Sequence, residues 1–296
     1  RDWSVTGVQT CALPICQPRQ ALQLFEYALA REGADGPNVL ALAGLAALQS
    51  DQPAKARAYF QRSLALEANP QVAALAARAE RESAHDNSDH VLRGSRFVLR
   101  YDQLSLAPAA AAAMVNALEA EYARLDAALG CDLGEQVTVV VHTPERYRAA
   151  TGAAEWSAAQ FDGRIRVAAP QGATVTSQLR QTFAHEIVHA CLARRGSFPA
   201  WFHEGMAQRW SGDRLSGPQR AAIRGKVAAG ALPPLARLGG SWSAMAPEAA
   251  ALAYAYALAA VEALYETRGD AHVRELLQYP ARLAQTEAEL ARALAP

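Results

Sequence analysis

Residues 184–192 read AHEIVHACL and contain His185, Glu186 and His189 in the pattern His-Glu-x-x-His. Positions four apart on an α-helix lie on one face about a turn apart, so two imidazoles at this spacing can reach one metal ion. Glu186 sits beside the first imidazole and can lean over an open coordination position, where a base must stand to take a proton from water on the ion. A third ligand has to come from elsewhere. Fourteen residues separate His189 from Glu204, within SFPAWFHEGMAQRW. A short reversal after Gly196 and a second helix with Pro199 in its first turn, behind Ser197 or Phe198, could present Glu204 to the same ion. Trp201 and Met206 would anchor the packing of that helix on the first, and Gly205 would allow close approach. Two neutral imidazoles and one carboxylate leave a zinc ion with net positive charge and one vacant position, as a catalytic site requires.

The helix that must carry the pair is legible on its own. Ser177 is a fair N-cap and Gly196 a fair stop, while Leu179, Phe183, Ile187 and Cys191 recur every four residues as a buried stripe. His203 neighbours Glu204 but points about a quarter-turn away, so it is not expected to share the ion; it can line the cleft. Gln208, one turn beyond Glu204, is a candidate hydrogen-bonding neighbour of the ligands. His142 closes a strand and His272 lies on a late helix, and both read as ordinary polar positions.

Around these helices the chain changes character along its length. Residues 17–83 are helical and repeat: QALQLFEYAL aligns with KARAYFQRSL, pairing Ala21 with Ala56, Phe25 with Phe60 and Leu29 with Leu64 at an offset of 35 residues. Between them Leu40 and Gly44 supply a large and a small residue, although Ala47 stands where another large one is expected. This segment resembles tetratricopeptide repeats, with an unrelated pair of helical hairpins as the alternative. Residues 84–93 are polar and read as a linker; His85, Asp86, Asp89 and His90 are solvated there in preference to forming a metal site. Beyond it, RFVLRYD (96–102) and QVTVVVH (136–142) read as strands, 108–129 as a helix with Met114, Leu118, Tyr122 and Leu125 on one face, and TPERYRAATG as a short helix. FDGRIRVAAP (161–170) reads as a strand entered by a turn at Asp162-Gly163. Helices follow at about 177–195 and 199–211, and a helical region at about 248–294 breaks near Gly269-Asp270 and Pro280.

The 296 residues carry 29 basic and 29 acidic side chains. A net charge of zero gives no electrostatic reason to expect nucleic acid or an anionic membrane surface as a partner. No apolar run reaches the length of a membrane span. The first sixteen residues, RDWSVTGVQTCALPIC, show no helical period and no signal-peptide layout, and Val5 to Ile15 resemble the translation of a sequencing-library adapter; the expectation is a non-native segment, against a genuine extension. Localisation is then not readable directly. Cys131 and Cys191 are left, far apart and without CxxC spacing, and are expected to be small buried side chains with no disulfide framework.

HEIVHA followed by FPAWFHEGMAQ is similar to the two motifs of the gluzincin metallopeptidases, in particular the peptidase MA-like domain: HExxHA, then P-x-W-x-x-E-G-x-A matched by Pro199, Trp201, Glu204, Gly205 and Ala207. The resemblance covers about residues 94–280. It implies an α+β, zincin-like domain over 94–296, with a small mixed sheet, active-site helices and a helical C-terminal part, preceded by the all-α tetratricopeptide-like segment. It implies His185, His189 and Glu204 as zinc ligands and Glu186 as general base and acid. It also implies a sheet edge near Ile165 to Val167 on which an extended peptide would lie. An oxyanion-stabilising tyrosine is implied in LAYAYAL (252–258), Tyr254 first and Tyr256 second, although Ala257 stands where a polar residue is expected and either tyrosine can equally be a plain aromatic. The members are often exported by bacteria.

The expectation is therefore a zinc-dependent peptidase, an endopeptidase since no Gly-x-Met-Glu-Asn-like exopeptidase motif precedes the site, with a repeat arm for a protein partner. The competing readings are a catalytically idle scaffold whose repeats do the binding, and a zinc hydrolase acting on something other than a peptide.

Overall fold

Proline opens helix after helix in this chain. Its missing N–H costs nothing at a first turn, and its fixed φ suits a helix start. The computed structural model describes residues 17–31, 35–84, 90–103, 105–153, 157–240, 242 and 245–294. The adapter-like segment 1–16 and the His85, Asp86 and Asp89 positions lie outside the described residues. The fold is mixed α and β and falls into two compact units. One holds the described residues up to Glu119 together with Leu133–Val175; the other holds Ala120–Asp132 and Thr176–Pro296.

The first unit begins with α1 (Pro18–Leu29), α2 (Pro37–Gln49), α3 (Pro53–Leu66) and α4 (Pro70–Ser83), each packed on the next. Phe60 is fully buried among Ala21, Ala46, Ala47 and Ala56, with Phe25 partly buried against the same cluster. Gly44 is needed there: a β-carbon on it would stand 2.6 Å from the Phe60 ring. These helices share their unit with a five-stranded sheet of β1 (His90–Arg93), β2 (Phe97–Tyr101), β3 (Val137–His142), β4 (Ala159–Phe161) and β5 (Ile165–Ala168), ordered β1-β2-β3-β5-β4. The β2–β3 and β3–β5 pairs are parallel and the two outer pairs antiparallel.

Two expectations change. Part of the supposed linker, His90–Arg93, is a strand paired with β2 in the register Val91↔Arg100. The strand at Ile165–Val167 is not a sheet edge, because β4 pairs with it on the side away from β3. At three residues β4 is too short to show a period in the sequence, and it occupies the edge.

A cluster of buried and half-buried ion pairs joins helices to sheet within this unit. Glu82 of α4 accepts from Arg164 at 2.8 Å and faces Arg166 at 2.7 Å, while Asp51, in the turn between α2 and α3, pairs with Arg100 of β2 at 2.8 Å and Arg164 at 3.1 Å. Asp162 takes Arg166 at 3.0 Å and also pairs with Arg78. Burial alone would raise the pKa of Glu82, but Arg164, Arg166 and Arg78 outweigh it and hold the carboxyl well below the usual carboxylate range.

Helix α5 (Pro108–Leu129) contributes to both units, with Met114, Leu118, Tyr122 and Leu125 buried as its period predicts, and α6 (Pro144–Thr151) follows β3 as read from TPERYRAATG. The second unit is otherwise helical: α7 (Ser177–Arg195), α8 (Ala200–Ser211), α9 (Gly217–Ala228), α10 (Pro247–Gln278) and α11 (Leu283–Leu294). Gly269, at φ 75°, interrupts α10, and a 3-10 turn at Pro280–Arg282 precedes α11. Both breaks fall where the sequence places them.

The cysteines depart from expectation. Cys131, just past α5, and Cys191 of α7 form a disulfide with their Cα atoms 5.2 Å apart. A sequence separation of 60 hid a neighbourhood that the fold creates. Among the described residues no helix is long and apolar enough to cross a membrane.

Candidate metal centre

Helix α7 is capped by Thr176, whose hydroxyl accepts from the Leu179 amide, and not by Ser177, which is its first residue. Of the expected stripe, Phe183, Ile187 and Cys191 are buried and Leu179 half-buried. Gly196 ends the helix, and Pro199, in extended conformation at the N-cap position, starts α8 one residue later than expected. Trp201 is fully buried and donates from Nε1 to Glu287 of α11 at 2.9 Å; Met206 is fully buried as well. The close approach at Gly205 is made against α10, where Ala257 and Val261 lie, and not against α7.

This packing brings His185, His189 and Glu204 together, one candidate ligand atom from each lying within 4.8 Å of the others. Glu204 Oε2 stands 3.4 Å from His185 Nε2 and 3.6 Å from His189 Nε2. Metal–ligand bonds of ~2.0–2.1 Å at tetrahedral angles put ligand atoms ~3.3 Å apart, close to the two Glu204–imidazole separations. Burial would lift the Glu204 pKa, but the His189 and His185 imidazoles outweigh it and hold the carboxyl well below its usual range. The donor set of two imidazoles and one carboxylate fits zinc with one position open. His185 is the least buried of the three.

Glu186 is buried on the same helix, and its Oε2 has no hydrogen-bond partner among the described residues. Burial pushes its pKa up to about 7, with Glu204 adding to the rise and His185 opposing it. A buried carboxyl whose pKa is raised is the kind of group that can serve as a general base.

The structure separates the two tyrosines. Burial raises the Tyr254 phenol pKa, and Glu204 and Glu186 raise it further, so its hydroxyl senses both carboxylates. Tyr256 is raised by burial alone. Tyr254 stacks edge-to-face on Trp242 at 5.0 Å, a neighbour the sequence reading did not find, since Trp242 sits in a loop with no period. Ala257, where a polar residue was expected, is buried, and its backbone carbonyl lies against Gly205. Gln208 Nε2 donates to the backbone carbonyls of Glu204 at 3.1 Å and Tyr254 at 3.0 Å, so it ties α8 to α10 rather than touching a ligand side chain.

A scan against protein-family models finds no match. A search of curated proteins finds no match either.

His203 is buried instead of lining a cleft, and its Nδ1 lies 3.4 Å from Nδ1 of His189. Burial and the neighbouring His189 push its pKa down to about 3, against the pull of Glu204. It is therefore a neutral imidazole at neutral pH. Its place beside Glu204 was the only sequence signal, and it could not show which group His203 meets.

Proposed function

We propose that this protein is a zinc-dependent peptidase whose metal is held by His185, His189 and Glu204. The observation that carries the reading is the convergence of these three groups, with the buried Glu186 next to His185 on α7 and its Oε2 without a hydrogen-bond partner among the described residues. When bound, zinc supplies the Lewis acidity that makes water a nucleophile near neutral pH. Glu186 takes the proton at its carboxylate oxygen and returns it to the leaving amine. Tyr254, kept as a neutral phenol, donates a hydrogen bond to the carbonyl oxygen as charge develops there. A peptide as substrate rests on the likeness of HEIVHA and FPAWFHEGMAQ to the gluzincin motifs. The tetratricopeptide reading of α1 to α4 is supported by the Gly44–Phe60 contact, and it makes those helices a platform for a protein partner.

The test is paired. Bound zinc is measured in the wild type and in Glu204→Ala, and peptide cleavage in the wild type and in Glu186→Gln. The first change is expected to lose metal, and the second to keep metal and lose cleavage. Zinc retained without Glu204 removes the third ligand, and cleavage that survives Glu186→Gln removes the base. Full zinc loading with no hydrolysis across a broad peptide library leaves an idle scaffold.

A further inference from the structure

We propose that His203 is a positioning residue that fixes the tautomer and ring orientation of His189. The inference rests on the metal assignment above and adds a residue to it. His189 can offer Nε2 to a metal only if its ring proton sits on Nδ1, because a neutral imidazole carries one proton and one lone pair. That Nδ1 faces Nδ1 of His203 at 3.4 Å, and the two rings lie 5.6 Å apart, centroid to centroid. The hydrogen bond has two possible directions. Were His203 the donor, His189 would carry its proton on Nε2, the atom 3.6 Å from Glu204 Oε2, and could not bind a metal there. With His189 as donor, His203 accepts at Nδ1 and carries its own proton on Nε2.

The burial of His203 agrees with a role in orientation. Its ring is packed edge-to-face on Phe198 at 6.1 Å, so it cannot swing away from His189 freely. Its Nε2 is buried with no hydrogen-bond partner among the described residues. A buried imidazole that leaves one nitrogen unmatched is destabilising relative to an apolar side chain of the same shape. Its contact with His189 is the return. Helix α8 then serves the metal twice from adjacent residues, by supplying Glu204 and by holding a ligand of α7.

The experiment compares His203→Leu with His203→Asn, whose amide oxygen can take the place of Nδ1 as acceptor. Zinc affinity is measured by competition with a chromophoric chelator, and metal-free wild type is examined by long-range nitrogen–proton NMR of its imidazoles. His203→Leu is expected to bind zinc 10–100-fold more weakly, and His203→Asn to stay within about threefold of wild type. The NMR is expected to show the His189 proton on Nδ1. Equal affinity in His203→Leu and wild type would overturn the proposal, as would an Asn variant no better than Leu, or a His189 proton on Nε2. The tautomer measurement decides even if His203→Leu fails to fold. A wild type that binds no zinc at all would instead overturn the metal assignment, whatever the tautomer.

Discussion

A β-carbon on Gly205 would stand 2.4 Å from the carbonyl oxygen of Ala257 and 2.6 Å from Cγ2 of Val261. The backbones of α8 and α10 therefore meet one residue after Glu204, and the obstacle includes a main-chain atom that cannot rotate aside. Gly205→Ala is expected to push α8 off α10, costing about 1–3 kcal/mol of stability and weakening zinc binding by moving Glu204. Urea unfolding and a zinc titration check this. A variant with wild-type stability and affinity would show that the contact yields easily.

Tyr254→Phe separates the phenol from the ring. Zinc content and KM are expected to hold, since the ring can remain against Trp242. The kcat for peptide cleavage is expected to fall on the order of 10²-fold. Tyr256→Phe is the control and is expected to change kcat little, because no site carboxylate acts on Tyr256. Equal effects of the two changes would remove Tyr254 from the site.

The Cys131–Cys191 bridge closes a loop of about sixty residues. Chain entropy gives such a cross-link ~4 kcal/mol, and observed values are typically ~2–4 kcal/mol. Replacing both cysteines by serine, or reducing the bridge, is expected to lower the urea midpoint by a corresponding amount. Such a bond is kept in an oxidising compartment. Labelling of the Cys131 and Cys191 thiols themselves, located by peptide mapping in the native, unreduced protein, would contradict the pairing.

Glu82 links the helices of its unit to Arg164 and Arg166. Removing its charge leaves buried guanidinium groups uncompensated, so Glu82→Gln is expected to cost about 3–5 kcal/mol at neutral pH. Its folded pKa lies below the unfolded one. The stabilisation is then fully present above the unfolded carboxylate pKa and drains away as pH falls through the folded value. Wild-type and variant unfolding midpoints should draw together in acid. A difference that stays constant as pH falls well below the unfolded carboxylate pKa, or grows on acidification, would contradict the assignment.

The clustering of His185, His189 and Glu204 was readable in the sequence because the parts of this candidate site are local. His185 and His189 share one helix, and Pro199 through Ala207 declare the next, so helical periodicity and two helix ends sufficed to bring Glu204 into reach. What escaped depends on contacts across long stretches of chain. The three-residue β4 is too short for alternation to register, so β5 was taken for an edge. The disulfide joins cysteines whose proximity only the packed fold produces. Helix α9 has its capping box at Ser216 and Gln219 and was passed over, because only Ile223 is buried along it and no apolar stripe marks it. Nothing in the alternation of FDGRIRVAAP shows that α4 and the turn at Asp51 bring carboxylates onto the arginines at 164 and 166.

That last arrangement bears on how the chain can change over generations. Asp51, Arg78 and Glu82 come from the helical stretch, while Arg100, Asp162, Arg164 and Arg166 come from the strands and the hairpin between them. A recombination that exchanged one stretch for a foreign one would strand cations or anions in a dry interior. The two must be inherited together, although the sequence reads as if they were separable.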